Sequence, residues 1–323
     1  MEQKEKLKEI TENLEKGIRE FFNSDKYKDY LNTVSKFHQY SAKNTMLICS
    51  QKPDATYVAG YKAWQKDFGR HVLKGEKAID ILAPAPYKKV VETPVLGKDG
   101  KPRVDLDGSL MTKKEEVIIP SYKVVHVYDV SQTDGKELPK ICKELDGSVE
   151  KYKEFQEAIS RFSSVPIEPI SANAKECGHY NNETKSIGIR EGLSEVHEIK
   201  TSIHEVTHSI LHDRDSGTAI SEDPRTREVQ AESVAYTVCQ HYGIDTSDYS
   251  FGYIAGWSSD KDLTELKESM EVIQETSSQI IDGIDRALEE ISLEKNNELT
   301  LSESMEEKMG LAVEEQSMEF ERG

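Results

Sequence analysis

Cysteine is scarce in this sequence. There are four in 323 residues, Cys49, Cys142, Cys177 and Cys239, and none has CxxC spacing. That excludes a disulfide framework and fits a reducing compartment. Long apolar runs are missing too. No stretch of about 18 or more apolar residues occurs, which excludes a bilayer-spanning helix. The opening "MEQKEKLKEITENLEKG" alternates charges and lacks the apolar core of a secretory signal. The expectation is a soluble cytoplasmic protein with no membrane partner, long enough for two domains.

Charge is plentiful and uneven. The formal net charge is −18. Residues 1–126 hold 23 Lys/Arg against 18 Asp/Glu, and residues 127–323 hold 19 against 42. A mildly basic first part joined to a strongly acidic second part suggests two jobs. The basic excess is too small to identify a nucleic-acid binder by itself. Part of the acidic excess is a tail: residues 296–323 carry eight glutamates, two cations and one aromatic. That composition predicts poor order.

In the first part, Leu7, Ile10, Leu14, Ile18, Phe21 and Phe22 have helical spacing over residues 3–22. A second helix is predicted from Tyr27 to Cys49, on Tyr30, Leu31, Val34, Phe37, Met46 and Leu47. A short helix, Tyr61 to Phe68, stops at Gly69. "KAIDILAP" reads as a strand, residues 97–114 as an exposed Gly-rich charged loop, and "EEVIIPSYKVVHVYDVSQT" as a strand pair. Aromatics and cations interleave here: Tyr57, Tyr61, Lys62, Trp64, Lys66, Arg70, His71, Lys74 and Lys77. Single-stranded nucleic acid is held by such sets, with bases stacked on rings and cations along the phosphates. The same spacing, with Tyr61, Trp64 and Phe68 at i, i+3 and i+7, also describes rings packed in a core under a solvated lysine face.

The second part carries the chemistry. Ser148 is a candidate N-cap for "VEKYKEFQEAISRF", followed by the strand "VPIEPI". "CGHYNNETKSIGIR" reads as two short strands about a polar turn. A helix is predicted from Glu195 to His212 behind the N-cap Ser194, and another over "REVQAESVAYTVCQHYG" to Gly243. A last long helix spans Lys261 to Ile291.

On the first of these helices the sequence spells His204-Glu205-Val206-Thr207-His208. Two histidines one turn apart share a face, where one tetrahedral zinc can take both imidazoles. Glu205 is placed to reach a metal-activated water as general base. Glu228 and Glu232 share a face of the next helix, and either can supply the third ligand. "EVQAESVA" resembles the E-x-x-A-x-x-x-A pattern of several HExxH families. By that resemblance Glu228 binds zinc, and Glu232 hydrogen-bonds a ligand histidine and fixes its orientation. His212 continues the i+4 series as a helix-end cation or a support for the ligands. His179 and Tyr180 fall on the strand before the helix. Tyr236, Tyr242 and Tyr253 are unranked candidates for an oxyanion donor.

Most of residues 5–290 resembles the ArdC-like antirestriction proteins of mobile elements. The resemblance rests on "YSAKNTMLI", "GYKAWQKDFGRHVLKGEKA", "VYDVSQTDG", "HYNNETKSI", the HExxH helix, "EVQAESVA" and "YIAGW". It implies an N-terminal single-stranded-DNA-binding domain and a C-terminal zincin-like metallopeptidase domain, related at the site to ImmA/IrrE-type peptidases. It also favours the DNA reading of the aromatic and cationic set, with Tyr61, Trp64, Lys66, Arg70, Lys74 and Lys77 as contacts. The loop 97–114 and the tail after 295 depart from the family pattern.

The expected fold class is α+β, with a small DNA-binding domain over 1–135, a zincin-like domain over 136–293 and an acidic tail over 294–323. The expected function is that of a mobile-element antirestriction-type protein. It binds single-stranded DNA and hydrolyses a protein substrate at Zn2+ held by His204, His208 and Glu228, with Glu205 as base. A rival of a different class is a non-enzymatic DNA-binding or restriction-blocking protector with a structural zinc; a third reading, a regulatory protease that cleaves a repressor, keeps the same site and differs only in substrate.

Overall fold

The structure is a computed structural model that describes residues 5–12, 18, 22, 24–96, 101–105, 107, 109–138, 149–215, 223–244, 246, 257–258 and 261–320. Ser148, Cys142, Tyr253 and parts of the predicted first helix, including Leu14 and Phe21, lie outside them. The described chain is mixed α+β and divides into two compact units, one of residues 1–18 and 43–137, the other of 19–42 and 138–323.

The first unit is built on an antiparallel sheet. β1 (Val58–Gly60) and β3 (Ile79–Pro84) flank β6 (Tyr122–Asp129). Beside it run α2 (Ala42–Gln51) and the short α3 (Tyr61–Lys66), and β2 (Arg70–Val72) pairs with β7 (Thr133–Gly135). Asn44 and Gln51 of α2 bond the backbone of β3 at Leu82 and Asp80. Gly69 ends α3 at φ +63, a left-handed turn that favours glycine.

Two segments that stand far apart in sequence are hydrogen-bonded partners. Asp129 is 1% exposed and caps the 3₁₀ turn Val130–Gln132 through Ser131 N at 2.9 Å. Its other oxygen accepts from Thr56 N at 2.7 Å and Tyr57 N at 3.0 Å. Gln132 closes the capping box on Asp129 N and donates to Glu76 and to the Lys77 carbonyl. "DVSQT" therefore pins "KGEK" and the entry to β1.

The strand pairing differs from the sequence expectation. Thr112–Ile119 (β5) pairs with Tyr87–Pro94 (β4), not with β6. The β4–β5 hairpin, with bridges Leu96↔Pro102 and Val104↔Leu110, takes in the segment read as a loop. Residues 115–119 of β5 belong to the strand pair read from the sequence, whereas β4 went unread: its first four residues are all exposed, so no buried face marks them.

The predicted helix Tyr27–Cys49 is two helices, α1 (Ser24–Lys36) and α2, broken at residues 37–41. The break falls in the gap between Phe37 and Met46, where the apolar period has no member. The sequence reading put residues 1–135 together, whereas α1 packs with the second unit. Tyr27 and Tyr30 are fully buried there, Tyr27 OH lies 2.7 Å from Ser233 Oγ, and Tyr236 OH donates to Asn32 at 2.8 Å.

The second unit is α4 (Val149–Phe162), β8 (Ile167–Ile170), β9 (Gly178–Asn181), β10 (Ser186–Arg190), α5 (Glu195–Leu211), α6 (Pro224–His241) and α7 (Leu263–Phe320). The sheet order is β8-β10-β9, with β10 parallel to β8 and antiparallel to β9. That leaves β9 at an edge. α6 is central: α5, α7 and α1 all pack on it, so it buries residues around much of its circumference, including Val229, Ala231, Val234, Tyr236 and Cys239. α7 buries Leu266, Met270, Ile273, Ile280, Ile284 and Ile291. Gly283 of α7 faces the Phe162 ring, with no room for a Cβ between them. The backbone of α7 continues as helix to Phe320, through the segment whose charge suggested an unstructured tail. Among the described residues, no helix is long and apolar enough to cross a membrane.

Candidate metal centre

The HExxH motif falls on α5 as its spacing required. Ile199, Ile203 and Val206 bury one side of this helix, and the histidines turn towards a cavity of about 460 Å³. α6 delivers Glu228 from the facing wall. Its start is set by the N-cap Asp223, which accepts from Arg225 N, and by Pro224 in the first turn. Lys261 and the N-terminal backbone hold the Asp223 carboxyl down at about 2, against the opposing effect of burial. Trp257 Nε1 donates to Thr226 at 2.9 Å and braces the same turn.

His204, His208 and Glu228 each offer one donor atom within 4.8 Å of the others. His204 Nε2 and His208 Nε2 are 3.1 Å apart. Glu228 oxygens lie 3.5 Å from the first and 3.6 Å from the second. Ligands at about 2.0–2.1 Å from a tetrahedral ion are separated by about 3.3–3.4 Å. The three separations lie around that edge length, the two to Glu228 reaching one carboxylate oxygen each, so the residues fit a divalent metal at the cavity wall.

Behind the donors the site is braced. Glu232 contacts His204 Nδ1 at 3.3 Å and is ion-paired to Lys200, which is only 7% exposed. Burial opposes charge on His204, but the Glu228 and Glu232 carboxylates outweigh it and hold its pKa up to about 9. Burial, with the positive fields of His204 and His212, pushes His208 down to about 3. Burial likewise pushes Glu205 up to about 7, against the pull of His204 and of the Tyr180 backbone N–H that it accepts. Gly178 permits this approach of β9 to α5, since a Cβ there would lie 2.6 Å from Thr201 Cγ2 and 3.1 Å from Glu205 Cγ.

Glu205 also lines the cavity but is not one of the three converging donors. Lys200 went unremarked in the sequence; its signal was position, a lysine one turn before His204 on a helix face meant for burial. Arg227 was missed too, and it lines the same cavity. Tyr236 and Tyr242 are buried at 2%, and their hydroxyls are engaged by Asn32 and by Ile281 and Asp285. Tyr180 lines the cavity and bonds Asp213. Cys177 Sγ accepts from Arg190 at 3.4 Å.

The six sequence candidates in the first unit separate sharply. Trp64 is fully buried and donates to Tyr128 O at 2.9 Å, so its ring has no face for a base. Arg70 spends its fork within the fold, on Thr133 Oγ1 at 2.7 Å, Thr133 O at 2.9 Å and the Gly135 and Lys136 carbonyls. Tyr61, 57% exposed, is on the surface, as are Lys66, Lys74 and Lys77.

Comparison with known proteins bears on the first unit most directly. Residues 2–128 match the model of the N-terminal domain of anti-restriction factor ArdC. Over those residues the chain resembles ArdC. An uncharacterised Bacillus anthracis protein, pXO2-81, is 31% identical over 322 residues, covering 90% of this chain and 53% of its own length. The chain thus spans about half the length of that curated relative. Among solved structures, the antirestriction ArdC protein from plasmid R388 aligns in metal-free form at 20% identity and TM-score 0.48, over 78% of this chain and 86% of that one. Its Mn(II)-bound form aligns at 20% and 0.47, over 77% and 85%.

Proposed function

We propose that this ArdC-like protein is an antirestriction-type factor that binds single-stranded DNA and hydrolyses peptide bonds at a zinc site. The observation that carries the peptidase half is the triad His204, His208 and Glu228 with Glu205 beside its open side. A purely structural site has no use for that fourth, uncoordinated acid. The two-imidazole, one-carboxylate set suits zinc. When bound, the ion supplies a Lewis acid and lowers the pKa of a water at the open position.

The chain's own groups do the rest. Glu205 takes a proton from the attacking water at a carboxylate oxygen and returns it to the departing amine nitrogen as the C–N bond breaks. The Tyr180 N–H steadies that carboxylate, and Glu232 orients His204. The edge of β9 borders the cavity, where an extended chain can lie alongside.

Two measurements test the two halves. Elemental analysis of protein purified without added metal is expected to give about one zinc per chain, lost in Glu228→Ala and mostly kept in Glu232→Ala. Loss only in Glu232→Ala would reverse the ligand assignment, and no zinc after reconstitution sinks the peptidase half. For DNA, anisotropy of a labelled single-stranded oligonucleotide should weaken in Lys74→Glu/Lys77→Glu with a shallower salt dependence. Unchanged binding in that variant removes these lysines from the interface. Trp64 and Arg70, tied into the fold, support the domain rather than touch the strand.

The rival reading as a non-enzymatic protector is favoured if Glu205→Gln keeps zinc and DNA binding while neither form cleaves any protein. A protease acting on a repressor shares every residue role and differs only in substrate.

A further inference from the structure

Each ligand imidazole presents Nε2 to the triad, which leaves its Nδ1 facing away. His204 Nδ1 meets the Glu232 carboxylate. His208 Nδ1 meets another imidazole, His212 Nδ1, at 2.7 Å, and His212 Nε2 lies 3.2 Å from Gln230 Oε1. Both residues are buried, His212 at 5% and Gln230 at 8% exposure.

The direction of this chain can be argued from either end. The Gln230 carbonyl oxygen can only accept, so His212 carries its hydrogen on Nε2 and its Nδ1 is a bare acceptor. At the near end, a metal taken through His208 Nε2 requires the hydrogen on Nδ1, which donates to that acceptor. The two ends agree without reference to each other. They also show why His212, although it continues the i+4 series, is not among the converging donors: its Nδ1 is occupied by His208 and its Nε2 by α6.

We propose that His212 and Gln230 are positioning residues that hold His208 in its Nδ1–H tautomer through a neutral relay. The relay rests on the reading of His204, His208 and Glu228 as a metal triad. It ties the last residue of the α5 turn, His212, to α6, the helix that carries Glu228, so one hydrogen-bonded chain sets both ligand walls. The two histidines are thereby supported unequally: His204 leans on a carboxylate, His208 on a neutral ring.

The first arm of the test needs no variant. In the full-length, metal-free chain labelled with 15N-histidine, long-range 1H–15N correlation should find His208 protonated on Nδ1 and His212 on Nε2. His212 protonated on Nδ1 instead overturns the proposal. The second arm measures Zn2+ affinity by chelator competition, with circular dichroism to confirm folding. His212→Ala and Gln230→Ala should weaken binding about 10–100-fold, the usual cost of losing such a partner. His212→Asn, whose Oδ1 can stand where His212 Nδ1 accepts, should recover part of the loss. Wild-type affinity in folded His212→Ala overturns the relay. His208→Ala separates the two failures. If it keeps zinc, the triad itself is wrong; if it loses zinc while His212→Ala does not, only the relay is.

Discussion

Replacing Glu205 by glutamine is expected to leave the metal bound and to lower peptide hydrolysis about 10²–10⁴-fold, the usual contribution of a positioned general base. Glu205 is 7% exposed and packs between α5 and β9, so a substitution that changed its volume would disturb both elements. Glutamine is nearly isosteric. Its single amide oxygen can keep the Tyr180 N–H, while the oxygen that would accept the water's proton becomes an NH2 donor. None of the three candidate ligands changes. The measurement pairs elemental analysis with turnover of a quenched-fluorescent peptide pool by wild type and variant under the same metal loading. Equal turnover removes Glu205 from the chemistry. Loss of the metal along with turnover would instead mean that the carboxylate is a ligand, contrary to its place outside the converging triad.

Asp129→Ala is expected to destabilise the first unit by about 2–4 kcal/mol, since three backbone N–H groups lose a charged acceptor. Thr56, Tyr57 and Ser131 donate to this one carboxylate, and Asp129 itself is 1% exposed. Asp129→Asn should recover only part, because its amide NH2 faces one of those N–H donors. The chain has two tryptophans, and Trp64 bonds the carbonyl next to Asp129. In a Trp257→Phe background, denaturant unfolding followed by Trp64 fluorescence therefore reads this unit. A midpoint unmoved by Asp129→Ala would show that the turn holds itself. The pH dependence has a definite sign. Backbone and side-chain hydrogen bonds outweigh burial and hold the Asp129 carboxyl below its ordinary value. Its stabilisation is then fully present above about pH 4, the unfolded pKa, and is lost as pH falls through the lower folded pKa.

The two units were legible in the sequence to different depths. In the second, a 3.6-residue period over 195–211 and a turn between two short strands gave α5, β9 and β10 nearly as observed, and the same period carried His204 and His208 to one face. In the first, "KGEK" and "DVSQT" stood out as motifs, but nothing in a linear reading said that Gln132 bonds the Lys77 carbonyl. Residues 97–114 were read as loop, so the bridges Leu96↔Pro102 and Val104↔Leu110 were missed, and β4 went unread because its first four residues are all exposed. The helix over 27–49 was drawn through a gap because helical spacing on both sides hid the break.

Trp64 shows the limit most plainly. An aromatic at i+3 from Tyr61 among lysines has the same spacing whether it stacks on a base or fills a core, and only the β-sheet behind α3 decides for the core. Local periodicity thus determined by itself that His204 and His208 share a helix face and that Glu205 stands between them. The tertiary structure decided how near Glu228 comes to the two histidines, that Lys200 pairs with Glu232 and Gln230 with His212, and which aromatics reach the surface. The physical reason is that helix geometry repeats within one segment and can be counted along the chain. Burial and hydrogen-bond partners depend on segments brought together from 18 to more than 200 residues away.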